Sequence, residues 1–158
     1  MRERRTGGPA TLTEVAAEFE ELEVDAPRVG IIMGSESDMD KVQPAIDELL
    51  ARDIGHEVRV LSAHRDPEQV AEYARSAQLR GIRVIIAAAG LSAALPGVVA
   101  AHTELPVIGL PLSSSKSVAG GLDALLSVVQ LPPGVPVACV GLDSARNAAL
   151  LAVRILGA

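Results

Sequence analysis

Val60-Leu61-Ser62-Ala63-His64-Arg65-Asp66-Pro67 runs an aliphatic stretch straight into a polar loop and then into a helix-opening pair. Asp66 suits an N-cap, Pro67 suits the first helical position and Gln69 stands at the capping-box spacing. Beyond them Val70, Tyr73, Ala74 and Ala77 recur on one helical face, and Gly81 marks the end. The segment therefore reads as strand, short loop, helix, the unit from which parallel sheets are built.

Working outward, the same unit recurs five times. Strands are expected at 28–33, 56–61, 84–89, 106–110 and 137–141, each rich in Val, Ile, Leu or Ala as when both faces of a sheet are covered. In the first helix Met39, Val42, Ile46, Leu49 and Leu50 are expected on the buried face, and Pro44 predicts an irregular opening turn. The last helix, roughly Ser144 to Leu156, is apolar around much of its circumference. That predicts burial on several sides, another subunit included. The fold class expected is α/β: a flavodoxin-like three-layer αβα sandwich with a five-stranded parallel sheet and right-handed crossovers. Residues 28–158 form one α/β domain. Residues 1–27 are expected to form an appendage: a disordered tail to Pro9, then a short acidic helix capped by Thr11 or Thr13 and running to about Leu22, docked on the domain or on a neighbouring subunit.

Composition removes several function classes. The formal charge is −6, from 14 basic and 20 acidic residues, so no basic footprint invites nucleic acid or an anionic membrane. Phe19 and Tyr73 are the only aromatics, which leaves no base-stacking platform. Cys139 is the single cysteine, so neither an internal disulfide nor a thiolate zinc cage is available, consistent with a reducing cytoplasm. Its apolar neighbours mark it as packing. The basic N-terminus lacks the apolar stretch of a secretory signal. The uncharged run from Val84 to Ala101 approaches membrane-span length, but Gly90, Ser92, Pro96 and Gly97 divide it into strand, loop and buried helix.

Chemistry is expected where the strands end, because ligands of open parallel sheets bind outside the carboxyl ends of the strands. Gly34-Ser35-Glu36-Ser37-Asp38 offers backbone N–H groups and two hydroxyls at a helix start, an anion site, and Asp38 could hold a ribose diol. Ser37 or Asp38 could equally serve as a plain helix cap. His64 is the acid–base candidate, since an imidazole titrates near pH 6.5, and Arg65 beside it is shaped for a phosphate. In Gly90-Leu91-Ser92-Ala93-Ala94, Gly90 would let a ligand approach the backbone and Ser92 adds a hydroxyl. The Ser113 to Gly121 stretch belongs to the same edge. His56 and His102 sit on other elements, so no metal site is expected.

Six segments, in register from Arg28 to Gly157, resemble one family. Gly34-Ser35-Glu36-Ser37-Asp38, Ser62-Ala63-His64-Arg65, Leu95-Pro96-Gly97, Leu105-Pro106-Val107-Ile108-Gly109, Leu122 to Pro132 and Asn147 to Ala152 are similar to the 5-(carboxyamino)imidazole ribonucleotide mutases and aminoimidazole ribonucleotide carboxylases of purine biosynthesis. The resemblance implies a cytoplasmic homo-octamer with sites at subunit junctions, a phosphoribosyl aminoimidazole substrate, and no metal or organic cofactor. It implies that Ser35, Asp38 and Arg65 bind substrate, that Ser37 and Ser62 help around phosphate and ribose, and that His64 is catalytic. Mutases of this type usually read Gly-Gly-Ala-Ala-His-Leu-Pro-Gly where this chain has Ala94 before Leu95-Pro96-Gly97. The expected activity is the mutase; direct carboxylation, or ribonucleotide binding without catalysis, is the alternative.

Overall fold

The computed structural model describes residues 26–157, so the expected N-terminal tail and helix lie outside the described residues. Five strands alternate with five α-helices: β1 Val29–Met33, α1 Met39–Leu50, β2 His56–Val60, α2 Pro67–Ser76, β3 Val84–Gly90, α3 Leu95–Ala100, β4 Val107–Leu112, α4 Leu122–Val129, β5 Ala138–Cys139 and α5 Ala145–Leu156. All strand pairs are parallel, in the order β2-β1-β3-β4-β5. The flavodoxin-like α/β sandwich expected from the strand–helix repeat is the fold observed.

Right-handed crossovers fix which face each helix covers. The chain moves outward from β1 to β2 and then reverses, so α1 packs on one face and α2, α3 and α4 on the other. Helix α5 follows the last strand and returns beside α1. Alternate strand residues split accordingly. Ile31, Met33, Ile86, Ala88, Ile108 and Leu110 face α1 and α5, whereas Ile32, Ile85, Ala87 and Val107 face the other three helices.

Three local expectations need correction. Leu50 does not join the buried face of α1: it is 59% exposed, and Ala45 is buried with Val42 and Leu49 instead. Positions 42, 45 and 49 follow the 3.6-residue period, while position 50 is turned by 100° from position 49. Asp66 occupies the N-cap position of α2 but makes no side-chain capping bond; its N–H instead donates to the Ser62 carbonyl at 2.8 Å. Strand β4 runs to Leu112, beyond the expected end, and β5 shrinks to two residues. Pro111 is tolerated because β5 has already stopped alongside it, so its missing N–H breaks no ladder bond there.

The irregular opening expected near Pro44 is a 3-10 turn at Glu36–Asp38, after which α1 continues through the proline. Helix α5 buries Ala145, Ala148, Ala149, Ala152 and Val153, and these small side chains let it lie close to α1. Glu48 of α1 accepts from Arg52 and from Arg146 of α5, each at 2.7 Å. Val84 to Ala101 divides into β3, a loop and α3, and among the described residues no helix is long and apolar enough to cross a membrane. Truncating buried Leu49 leaves a cavity and should destabilise the chain by about 2–5 kcal/mol, against about 0.5 kcal/mol or less for Leu50→Ala. Equilibrium urea unfolding of the two variants checks this; equal losses would contradict the register of α1.

Candidate active site

Strands β1 and β2 end at the same level, Met33 beside Val60, and β3 runs two residues further, from Ala88 beside Met33 to Gly90. The chain reverses direction across the sheet between β1 and β3, and a crevice opens at such a switch point. Backbone bonds carry the ladder into the loops: Gly34 N–H donates to the Ala88 carbonyl at 3.3 Å and Leu61 N–H to the Met33 carbonyl at 2.8 Å. The loops that follow are therefore anchored at their roots.

In the first loop Ser35 is extended and its Oγ accepts from the Ser37 N–H at 3.3 Å, 2.9 Å from the Ser37 hydroxyl. Asp38 stands at the start of α1 and makes no side-chain capping bond. Ser35 thus caps the 3-10 turn, and the Asp38 carboxyl is left to face the cavity. Burial raises its pKa above the ordinary carboxylate value, against the opposing pull of the Ser35 N–H and of Lys41.

All eight residues singled out in the sequence, Ser35, Ser37, Asp38, Ser62, His64, Arg65, Gly90 and Ser92, line one cavity of about 470 Å³ at this edge. His64 and Arg65 lie exposed on the turn closed by the Asp66 to Ser62 bond. His56 and His102 each engage a backbone carbonyl through Nδ1, at 3.0 and 2.8 Å, whereas His64 has no hydrogen-bond partner among the described residues. A larger depression of about 590 Å³ lies elsewhere, lined by Arg75, His102 and Glu104, and holds none of the eight. Burial pushes the Cys139 thiol up, and its Sγ sits 3.2 Å from the Val140 carbonyl, in keeping with packing.

Two glycines behave differently from each other. A Cβ on Gly34 would meet nothing within 4 Å, so no protein neighbour demands glycine there and the space belongs to the cavity. A Cβ on Gly90 would meet the Leu112 carbonyl oxygen at 3.0 Å. Gly90 is therefore required by β4 as well as lining the cavity. Leu91, next in the loop, adopts a left-handed φ of 55° with its side chain exposed, and Ala94 also lines the cavity.

Sequence reasoning placed the loop after β4 at this edge without selecting residues from it. Ser113, Ser114, Ser115 and Lys116 all line the cavity. A lone lysine in a serine-rich loop at a strand's carboxyl end was the available signal. Arg65 and Lys116 set two fixed cations against the one carboxylate of Asp38, a local positive site in a chain of net charge −6. Behind this wall, Asp143 has its pKa lowered: burial would raise it, but bonds from Ser113 and Lys41 outweigh that.

The chain is 56% identical over 135 residues to the N5-carboxyaminoimidazole ribonucleotide mutase of Pyrococcus abyssi, an alignment spanning 85% of this chain and 76% of that one. It is 58% identical over 131 residues to the mutase of the same name from Mycobacterium leprae, with 83% and 75% covered. The crystal structure of Treponema denticola PurE superposes with a TM-score of 0.73 at 34% identity, covering 83% of this chain and 80% of that one. The sequence profile of the AIR carboxylases matches residues 28–158, the whole α/β segment that builds the cavity. The chain belongs to the AIR carboxylase family.

Proposed function

We propose that the chain is an N5-carboxyaminoimidazole ribonucleotide mutase, with residues 28–158 as its catalytic domain. The observation that carries this reading is that His64, its ring unengaged among the described residues, shares one cavity with Arg65, Lys116 and the Ser35–Asp38 loop. The substrate has a phosphate and a carbamate to be neutralised and a ribose to be held. Arg65 binds the phosphate through paired N–H donors, with the hydroxyls of Ser35, Ser37 and Ser62 around it. Asp38 accepts from the ribose diol.

The reaction is balanced in protons, which is why one acid–base group is sufficient. As the bond between the exocyclic nitrogen and the carboxyl carbon breaks, His64 donates a proton to that nitrogen and carbon dioxide is released. Carbon 4 of the imidazole then attacks the trapped carbon dioxide, forming the new carbon–carbon bond. Its ring proton leaves to His64, restoring the starting state. Gly90, Ser92 and Ala94, small residues lining the cavity, hold carbon dioxide beside the ring and keep bulk water from it. Since Ala94 supplies no second imidazole, His64 makes both transfers.

We also propose a cytoplasmic homo-octamer. Leu122, Leu126 and Val129 expose an apolar row along α4, with Val118 exposed in the turn before it beside the cavity loop, and contiguous rows of this kind mark association surfaces. His64→Asn should lower kcat by about 10²–10⁴-fold, the usual worth of a positioned acid–base group. Stopped-flow absorbance with fresh carbamate reads this, and sedimentation should place variant and wild type alike at eight chain masses. Near-wild-type turnover would refute the role of His64, and a monomer would refute the octamer. Arg65→Ala should raise KM by about 10–100-fold, because charge-assisted hydrogen bonds are worth about 1.5–3 kcal/mol.

Asp38 yields a stability prediction with a definite sign. Its folded pKa is raised, so the ionised carboxyl opposes folding above that value, and the opposition fades as pH falls through it. Asp38→Asn should therefore unfold at an equal or higher temperature at neutral pH, with the advantage vanishing on acidification, while KM rises. Calorimetry across pH together with kinetics checks both halves. A neutral-pH loss of stability would contradict the assignment.

A further inference from the structure

Three segments far apart in sequence meet behind the cavity wall. Lys41 in the first turn of α1 donates through Nζ to the Ser113 carbonyl at 2.5 Å, the Ser113 hydroxyl oxygen at 2.8 Å and Asp143 Oδ1 at 3.0 Å. Asp143, in the loop before α5, accepts from the Ser113 N–H at 2.9 Å through Oδ1 and from the Ser113 hydroxyl through Oδ2. The Asp143 N–H in turn donates to the Pro111 carbonyl at 2.9 Å. Every polar group of Ser113 is engaged.

We propose that Lys41, Ser113 and Asp143 form a clamp that holds the Ser113–Lys116 wall in its substrate-binding geometry, making Lys41 and Asp143 positioning residues although neither lines the cavity. The choice of substrate rests on the mutase reading above, but the clamp itself does not. Residues 113–117 read Ser-Ser-Ser-Lys-Ser, with no apolar side chain to pack, so only polar bonds can order them. Beyond Ser113 the loop closes on itself: Ser114 N–H donates to Ser117 Oγ at 2.8 Å and Lys116 N–H to Ser114 Oγ at 3.2 Å. On its far side the loop is tied by the Val118 N–H, which donates to Asp123 Oδ2 at 3.1 Å, so Ser113 is the anchor on the β4 side of Lys116.

Backbone conformation adds a separate argument. Asp143 has a φ of 56°, the left-handed region that glycine occupies more comfortably. An aspartate kept there, with both carboxylate oxygens bonded to Ser113, is explained by what its side chain holds. The Lys41–Asp143 pair is more than a third exposed on both sides, so its contribution to global stability is small. Its effect is local.

That separation defines the test. Asp143→Gly relieves the backbone and removes the carboxylate from the clamp, leaving only the bonds from Lys41 to Ser113, so the melting temperature should stay within a few degrees of wild type. Amide hydrogen exchange in 113–117 should accelerate at least about tenfold with β1 and β3 unchanged. KM for the carbamate should rise about tenfold, with kcat within about twofold, as expected for loss of charge-assisted bonds that order a binding wall. Lys41→Met should shift exchange and KM in the same direction, and Lys41→Arg should restore part of the loss. Lys41→Met also decides the matter if Asp143→Gly fails to fold. Unchanged exchange at 113–117 in the folded variants would overturn the clamp, as would faster exchange with an unaltered KM. Wild-type protein that turned over no freshly made carbamate would sink the mutase reading, and the exchange measurement would still judge the clamp.

Discussion

The parallel sheet is covered by helices on both faces, and its strands carry aliphatic side chains into two cores. Among the described residues no polar or charged one is fully buried there. Burying each Val, Leu or Ile side chain contributes about 1.5–3 kcal/mol, whereas an unpaired buried charge would cost more than several of them supply. Ionisable groups are thus pushed to the strand ends. Because all five strands point the same way, one edge collects the loops that carry Ser35, Asp38, His64, Arg65, Ser92 and Lys116.

Within that edge, structural duties and ligand-facing groups are divided between neighbours. Ser35 takes over the capping of the turn that Asp38 could have capped, and Asp38 remains available at an energetic disadvantage caused by its own burial. Gly34 opens space that no protein atom fills, while Gly90 makes room for the carbonyl of Leu112. Two non-glycine residues near the cavity, Leu91 and Asp143, accept left-handed backbone. Strain of this kind persists only where surrounding bonds over-determine it, and at Asp143 those bonds are visible.

The strands were legible because doubly covered strands require unbroken β-branched runs such as Val84-Ile85-Ile86, bounded by turn residues. The helix start at Pro67 followed from a residue type with one conformational use, whereas α2 ends at Ser76 and Gly81, whose φ is 93°, closes the 3-10 turn Gln78–Arg80 that follows it. Leu50 misled because hydrophobicity alone does not say where a face ends, and Ala45 escaped because a small residue is at home on either face. The eight residues that line the cavity could be picked out because each lies within a few positions of a strand's end, where the fold class itself says ligands bind. Lys41 and Asp143 could not. They stand 102 residues apart, and nothing local to either signals the other or Ser113.

The central claim is that the carboxyl group arriving on the substrate's own exocyclic nitrogen is the one placed on carbon 4, with His64 making both proton transfers. The most direct measurement gives the protein freshly prepared, unlabelled carbamate in a buffer of 13C-bicarbonate and follows the carbon isotope of the carboxylate formed in the first turnovers. Transfer within a closed cavity predicts unlabelled product at first, with label entering only as the carbamate decays. Product carrying the buffer's label from the first turnover would contradict the account, because the carboxyl carbon would then be drawn from solution.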